Sequence, residues 1–343
     1  MNEKELNRIS IDLSSPPKGI LAADESTNTI KKRFDSIKVE SNFENRRRYR
    51  ELLFKTKNLN EFISGVILFD ETIKQSTSDG IPFAEYLSQN NIAPGIKVDS
   101  GAIPILSGSS EKITEGLDGL SKRLKEYKKL GAVFTKWRAI IDIETDKKIP
   151  SDHCIDSNAF VLGRYARIVQ ENDMVPIVEP EVIMDGEHSI DQCYEVTSKT
   201  LKKVFNQLKF HNVFLGGILL KPNMIISGKD CKKQASVEKV AKMTIECLKN
   251  NVPDEIPGIV FLSGGQSNEL ATEHLNEMNK NFSDLPWNLS FSYGRALQQP
   301  SLSSWKGQEE NVIDSQNALS LRSKHNSNAT IGKYSSEDEN LSI

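Results

Sequence analysis

Eight short apolar runs recur along the chain, and their spacing constrains the fold more than any other feature. They are GILAAD from Gly19, ISGVILF from Ile63, PGIKVD from Pro94, AVFTKWRAI from Ala132, VPIVEPEV from Val175, GGILLKPN from Gly216, GIVFLSGG from Gly258 and LSFSYGRA from Leu289. Each is strand-length, and most are rich in Val, Ile and Phe. Segments of helical period lie between them, such as Leu117, Leu120, Leu124 and Tyr127, or Leu201, Val204, Phe205 and Leu208. Successive run centres are 29 to 46 residues apart, enough for a helical crossover each time. An open doubly wound sheet would suit a Gly-x-Gly-x-x-Gly turn after the first run, and none occurs there. The pattern predicts a single-domain α/β fold, a closed (β/α)8 barrel over residues 1–322. After Arg322 the chain turns Ser- and Asn-rich and acidic, which predicts a polar, mobile tail over 323–343.

Bulk properties narrow the partners. With 44 basic and 47 acidic residues the formal charge is −3, no footprint for nucleic acid or an anionic membrane, so a small ligand is expected. No apolar run approaches a membrane span, and the amino terminus MNEKELNRIS lacks the apolar core of a signal peptide. A cytoplasmic protein without membrane insertion is expected. The four cysteines, Cys154, Cys193, Cys231 and Cys247, have no paired spacing and read as free thiols. His153, His188, His211, His274 and His325 lack ligand spacing and read as surface or packing residues, so no metal is expected.

In such a barrel, chemistry gathers at the carboxyl ends of the strands. Asp24, Lys97, Lys136, Arg138, Glu179, Glu181 and Lys221 all fall there. Side chains alternate along a strand, so each i, i+2 pair shares a face, and that face could be the barrel interior. Any one pair could equally be a buried ion pair, but seven such charges would be a costly way merely to fill a core. A lysine in a partly desolvated site beside another cation has its ammonium form disfavoured and becomes a nucleophile towards ketones. Lys221, with Lys136 as neighbour, fits that description, and Glu179 and Asp24 are candidates for proton transfer. The turn LSGGQS, with Ser263, Gly264 and Gly265, and the run Ser292, Tyr293, Gly294 and Arg295 suggest an anion site on the last two strands. Ser26, Thr29, Arg33 and Lys97 either form a second anion site or belong to a capped helix with a solvated basic face.

These residues resemble class I fructose-1,6-bisphosphate aldolase. GILAADES, SGVILF, GIKVD, EGLDGL, KWR, VPIVEPE, LLKPNM, FLSGGQS and FSYGRALQ occur in order between about Lys18 and Gln308. The resemblance implies a TIM barrel, a homotetramer, and reversible cleavage of fructose 1,6-bisphosphate to dihydroxyacetone phosphate and glyceraldehyde 3-phosphate, with no metal or cofactor. It matches Lys221 to the Schiff-base lysine, Glu179 to the acid/base glutamate, Asp24 to the aspartate at the C4 hydroxyl and Lys136 to the lysine assisting carbinolamine chemistry. Glu181 and Arg138 match residues that hold this network. Ser263, Gly264, Gly265, Gly294 and Arg295 match one phosphate site, and Ser26, Thr29, Arg33 and Lys97 match the other, Thr29 replacing a serine common in animal members. Animal members end in a tyrosine that assists proton transfer, whereas this sequence ends Asn340, Leu341, Ser342, Ile343, as in bacterial members, and Tyr334 matches an internal position. Another group is therefore expected to finish the proton transfer. Two other readings remain open at this point: a Schiff-base aldolase of different sugar-phosphate specificity, and a non-catalytic scaffold on the same barrel.

Overall fold

The computed structural model describes residues 1–340, so the expectation about the terminal residues 341–343 lies outside it. Among the described residues ten strands are present: β1 (Gly19–Ala23), β2 (Ile63–Leu68), β3 (Ala93–Lys97), β4 (Gly101–Pro104), β5 (Lys112–Glu115), β6 (Phe134–Ile141), β7 (Val175–Val182), β8 (Leu219–Leu220), β9 (Gly258–Phe261) and β10 (Asn288–Tyr293). Eight of them close a barrel in the order β1-β10-β9-β8-β7-β6-β3-β2, every neighbouring pair parallel. All eight apolar runs supply a barrel strand. β4 and β5, unforeseen in the sequence, form an antiparallel hairpin above the end of β3.

Alternation sorts the barrel interior into layers. At the amino end Ile20, Ala22, Ile67, Phe134, Val175, Ile177, Leu219 and Val260 pack together with Leu6 and Leu13 of the helix Glu3–Ser14, which closes that end. Stepping by two residues from this layer reaches Asp24, Lys136, Arg138, Glu179, Glu181 and Lys221. The charged layer is therefore a continuation of the apolar one in the same phase. Interior glycines make the floor fit. A Cβ at Gly95 would sit 2.3 Å from the Phe134 ring, and one at Gly258 would sit 2.2 Å from the Cβ of Ser14. The outward strand faces bury Trp137, Phe261, Tyr293 and many aliphatics under the surrounding helices, where Tyr165 of the helix Asp152–Glu171 packs against Trp137.

The boundary expected after Arg322 falls inside the helix Val312–Ala329. Ser323, His325, Asn326, Ser327 and Tyr334 are buried, and Asn326 and Tyr334 find hydrogen-bond partners there. Asn326 accepts from the Thr272 hydroxyl at 3.0 Å, the Tyr334 N–H donates to Asn276 at 2.9 Å, and Glu339 pairs with Arg322. The composition that read as a solvated tail is, up to residue 339, a polar network packed on the helix Asn268–Asn281.

Candidate active site

The carboxyl ends of the barrel strands open onto a cleft of about 650 Å³, lined by residues from β1, β3, β6, β7, β10 and the segments that follow β8 and β9. At its centre the charges form a chain. Lys221 follows β8 directly, and its N–H donates to the Val178 carbonyl at 2.8 Å, prolonging the ladder by one residue and fixing the side chain. Its Nζ lies 3.2 Å from Glu179 Oε1. The other Glu179 oxygen is 3.3 Å from Lys136 Nζ, which is 2.7 Å from Asp24 Oδ2. All four side chains are at most 12% exposed. Lys136 thus contacts two carboxylates and Lys221 one. The sequence placed two lysines side by side; the fold puts Glu179 between them.

The electrostatics follow from that geometry. Burial opposes ionisation of Asp24, but the Lys136 and Lys221 ammonium groups hold its carboxyl well below the usual range. Glu179 behaves alike: burial opposes the charge, and Lys136, Lys221 and Arg138 more than offset it. Burial also opposes the Lys136 ammonium, and Asp24 and Glu179 drive its pKa upward nonetheless. Next along the wall, Arg138 pairs with Glu181, which keeps the guanidinium charged against its own burial. The register that sets Arg138 beside Glu179 across β6 and β7 makes this neighbourhood a consequence of strand pairing.

Residues of both expected anion sites line the same cleft. Ser263, Gly264, Ser292, Gly294 and Arg295 do so at the carboxyl ends of β9 and β10. Gly264 takes the left-handed backbone, φ +53°, open to glycine at little cost. The Ser292 hydroxyl is buried without a hydrogen-bond partner among the described residues, so it is free to bind a ligand. Arg295 begins the helix Arg295–Trp305 and is braced by Asn268 and Gln299, each at 3.1 Å, and by the Gln266 carbonyl. Beyond the turn at Gly264, the Gly265 N–H faces the Met184 sulfur at 2.6 Å. Ser26, Thr29, Arg33 and Lys97 also line the cleft, with Ser26 and Thr29 hydroxyls 3.1 Å apart at the start of the helix Thr27–Ser36, which follows β1, the neighbour of β10.

Two residues absent from the sequence expectations complete the picture. Asp99 holds Lys97 Nζ at 2.5 Å and meets the Arg138 N–H at 3.4 Å. Glu25 pairs with Arg33 and with Arg50. The five histidines all lie away from the cleft, and among the described residues no three His, Cys, Asp or Glu side chains are grouped to hold a metal. Cys154, Cys193 and Cys247 are buried free thiols, while Cys231 is partly exposed in the loop after β8.

Comparison with known proteins meets this geometry. The sequence profile described as fructose-bisphosphate aldolase class-I matches residues 5–342, well beyond the segment whose motifs carried the resemblance. A probable fructose-bisphosphate aldolase class 1 of Xanthomonas campestris is 54% identical over 97% of this chain and 99% of its own length. The fructose-bisphosphate aldolase of Dictyostelium discoideum is 50% identical over 98% and 96%. A solved structure of the Plasmodium falciparum fructose-bisphosphate aldolase, a ternary co-crystal with TRAP and a small-molecule inhibitor, superposes with a TM-score of 0.95 at 50% identity, covering 97% of this chain and 96% of that one. With profile, relatives and barrel in agreement over nearly its whole length, the chain belongs to the class I fructose-bisphosphate aldolase family.

Proposed function

We propose that Lys221 is the nucleophile with which this chain cleaves fructose 1,6-bisphosphate. The family's reaction is metal-independent and proceeds through a Schiff base. The observation that carries the assignment is the buried chain Lys221, Glu179, Lys136, Asp24 at the mouth of the barrel. Lys136, shared by two carboxylates, stays an ammonium; Lys221, with one, passes a proton to Glu179 at 3.2 Å and attacks the C2 carbonyl carbon. The extra proton of the attacking nitrogen passes to the new alkoxide to give the carbinolamine; Glu179 then protonates its hydroxyl, water departs, and an iminium remains. Asp24 takes the proton of the C4 hydroxyl, the C3–C4 bond breaks, and its electrons flow into the iminium to give an enamine. Glyceraldehyde 3-phosphate leaves; protonation at C3 and hydrolysis of the imine release dihydroxyacetone phosphate. Glu181 and Arg138 hold Glu179 in place.

Ser263, Gly264, Ser292, Gly294 and Arg295 take one phosphate, and Ser26, Thr29, Arg33 and Lys97 the other. All of them line one cleft together with Lys221, which supports this reading. Borohydride reduction in the presence of fructose 1,6-bisphosphate should fix substrate to Lys221, located by peptide mapping. Equal trapping in Lys221→Ala would overturn the assignment.

The protein is further proposed to work as a homotetramer in the cytoplasm. Phe210 is 71% exposed and packs edge-on against His211, which also contacts the exposed Phe160. An apolar patch of this kind favours a subunit contact. Its four free cysteines suit a reducing compartment. Among the described residues no helix is long and apolar enough to cross a membrane. Light scattering on the purified protein tests the assembly, and a monomeric mass at micromolar concentration would refute it.

A further inference from the structure

The second basic pair of the cleft is held by acids, and one of these acids is anchored far more firmly than the arginine it holds. Glu25 follows Asp24 at the end of β1, so alternation sends it out of the barrel interior. Its carboxylate is 4% exposed and is gripped from two other elements. Gln298, on the helix Arg295–Trp305, donates to Glu25 Oε1 at 2.8 Å and to the Ala22 carbonyl at 2.7 Å. Arg50, on the helix Phe43–Phe54 and 3% exposed, brings Nη2 to 2.6 Å from Glu25 Oε2. Arg33 meets the same carboxylate from the helix Thr27–Ser36 but remains 24% exposed and lines the cleft. The buried side of the cluster is held by Arg50 and Gln298, and Arg33 is its most exposed member.

We propose that Glu25 is a positioning residue that fixes the Arg33 guanidinium for the distal phosphate, and so sets the preference for a bisphosphate over a monophosphate sugar. The inference rests on the reading of Arg33 as a ligand of that phosphate. Three facts carry it. Arg33 has no other carboxylate within ion-pair distance among the described residues. Its Nη2 lies 3.8 Å from the point a Cβ would occupy at Gly294, so the guanidinium spans from β1 towards the end of β10. Arg295 stands at that end, and its charge and Arg33's repel, burial and Arg33 together lowering the Arg295 pKa. Without Glu25 the two arginines would separate, and a flexible arginine pays rotamer entropy again each time it binds phosphate. Glu25 itself does not touch the reacting atoms, since its carboxylate is spent on Arg33, Arg50 and Gln298.

The test compares fructose 1,6-bisphosphate with fructose 1-phosphate, which lacks the distal phosphate, in the full-length wild type, Arg33→Ala, Glu25→Gln, Glu25→Asp and the double variant Glu25→Gln/Arg33→Ala. Arg33→Ala should lower the ratio of kcat/KM for the two sugars by about tenfold or more, as loss of a charge-assisted contact does. Glu25→Gln should lower the same ratio through KM for the bisphosphate, Glu25→Asp should fall between it and wild type, and the double variant should lose no more than Arg33→Ala alone. If Arg33→Ala leaves the ratio intact, the reading of Arg33 fails. If Arg33→Ala lowers it and the Glu25 variants do not, or slow both sugars equally, the positioning role is overturned. Should Glu25→Gln not fold, Glu25→Asp carries the comparison with the same two outcomes.

Discussion

Replacing Lys136 by methionine removes the one cation that two buried carboxylates share. Its Nζ lies 2.7 Å from Asp24 and 3.3 Å from Glu179. Methionine fills the space of the lysine stem but leaves Glu179 with Lys221 and Asp24 with no ion pair among the described residues. Removing one partner of a buried pair costs about 3–5 kcal/mol, against ~1 kcal/mol or less for an exposed pair, because a charge stays desolvated. The pH dependence has a definite sign. The folded pKa values of Asp24 and Glu179 are depressed, so their contribution is complete above the ordinary carboxylate range and fades as pH falls through the lower folded values. The folded pKa of Lys136 is raised, so its contribution is complete below the ordinary lysine range and fades as pH rises past it. In the variant the carboxylates take up protons in the folded state at higher pH. The stability gap between wild type and variant should therefore be widest from about pH 6 to pH 9 and narrow steadily below about pH 5. Urea unfolding followed by tryptophan fluorescence, at one fixed protein concentration, reads this gap. A gap under ~1 kcal/mol at neutral pH, or one that stays constant into acid, refutes the shared-cation reasoning.

Three further substitutions probe separate parts of the argument. Lys221→Arg keeps the charge but should abolish both turnover and borohydride trapping, because a guanidinium is not a nucleophile near neutral pH; substantial turnover would count against the imine. Gly258→Ala should lower unfolding stability by about 1–3 kcal/mol, since its Cβ would fall 2.2 Å from Ser14 and push the helix Glu3–Ser14 off the barrel floor; an unchanged unfolding curve would contradict that packing. Ser292→Ala should leave stability within about 0.5 kcal/mol, the hydroxyl having no hydrogen-bond partner, yet raise KM about fivefold, the worth of ~1 kcal/mol; a destabilised protein with unaltered KM would place the hydroxyl in the core rather than in substrate binding.

The barrel was legible because each strand carries its own signal. A run such as VPIVEPEV announces β7 by composition and length alone, and eight such runs leave few topologies. The helix Glu3–Ser14 escaped notice since nothing local marks it as a barrel plug: Leu6 and Leu13 acquire that role from the glycines at 217 and 65 and the interior face of the barrel. The hairpin β4–β5 escaped for a like reason, its strands being four residues long and half exposed. The segment after Arg322 misled outright. Polar composition predicts solvation only when the groups lack internal partners, and Arg322, Asn326 and Tyr334 find theirs on a helix some fifty residues earlier.

Within the site, alternation identified the charged positions but not who faces whom. That Glu179 separates Lys136 from Lys221 depends on the register between β6, β7 and β8, which no single strand encodes. The missed acids show where a signal existed. Asp99 stands two residues after Lys97, the same i, i+2 step used for Lys136 with Arg138 and for Glu179 with Glu181, so the rule reached it had it been applied one step past the strand's end. Glu25 carries no such signal. Next to Asp24 it points to the opposite face, and an acid facing outward from a barrel strand reads as core or surface until Arg33, Arg50 and Gln298 converge on it from three helices. Residues that would touch substrate are thus marked by their place on a strand, whereas residues that hold others are marked only by the packing of distant helices, and substitution at those positions is what separates a working barrel from one that merely keeps its nucleophile.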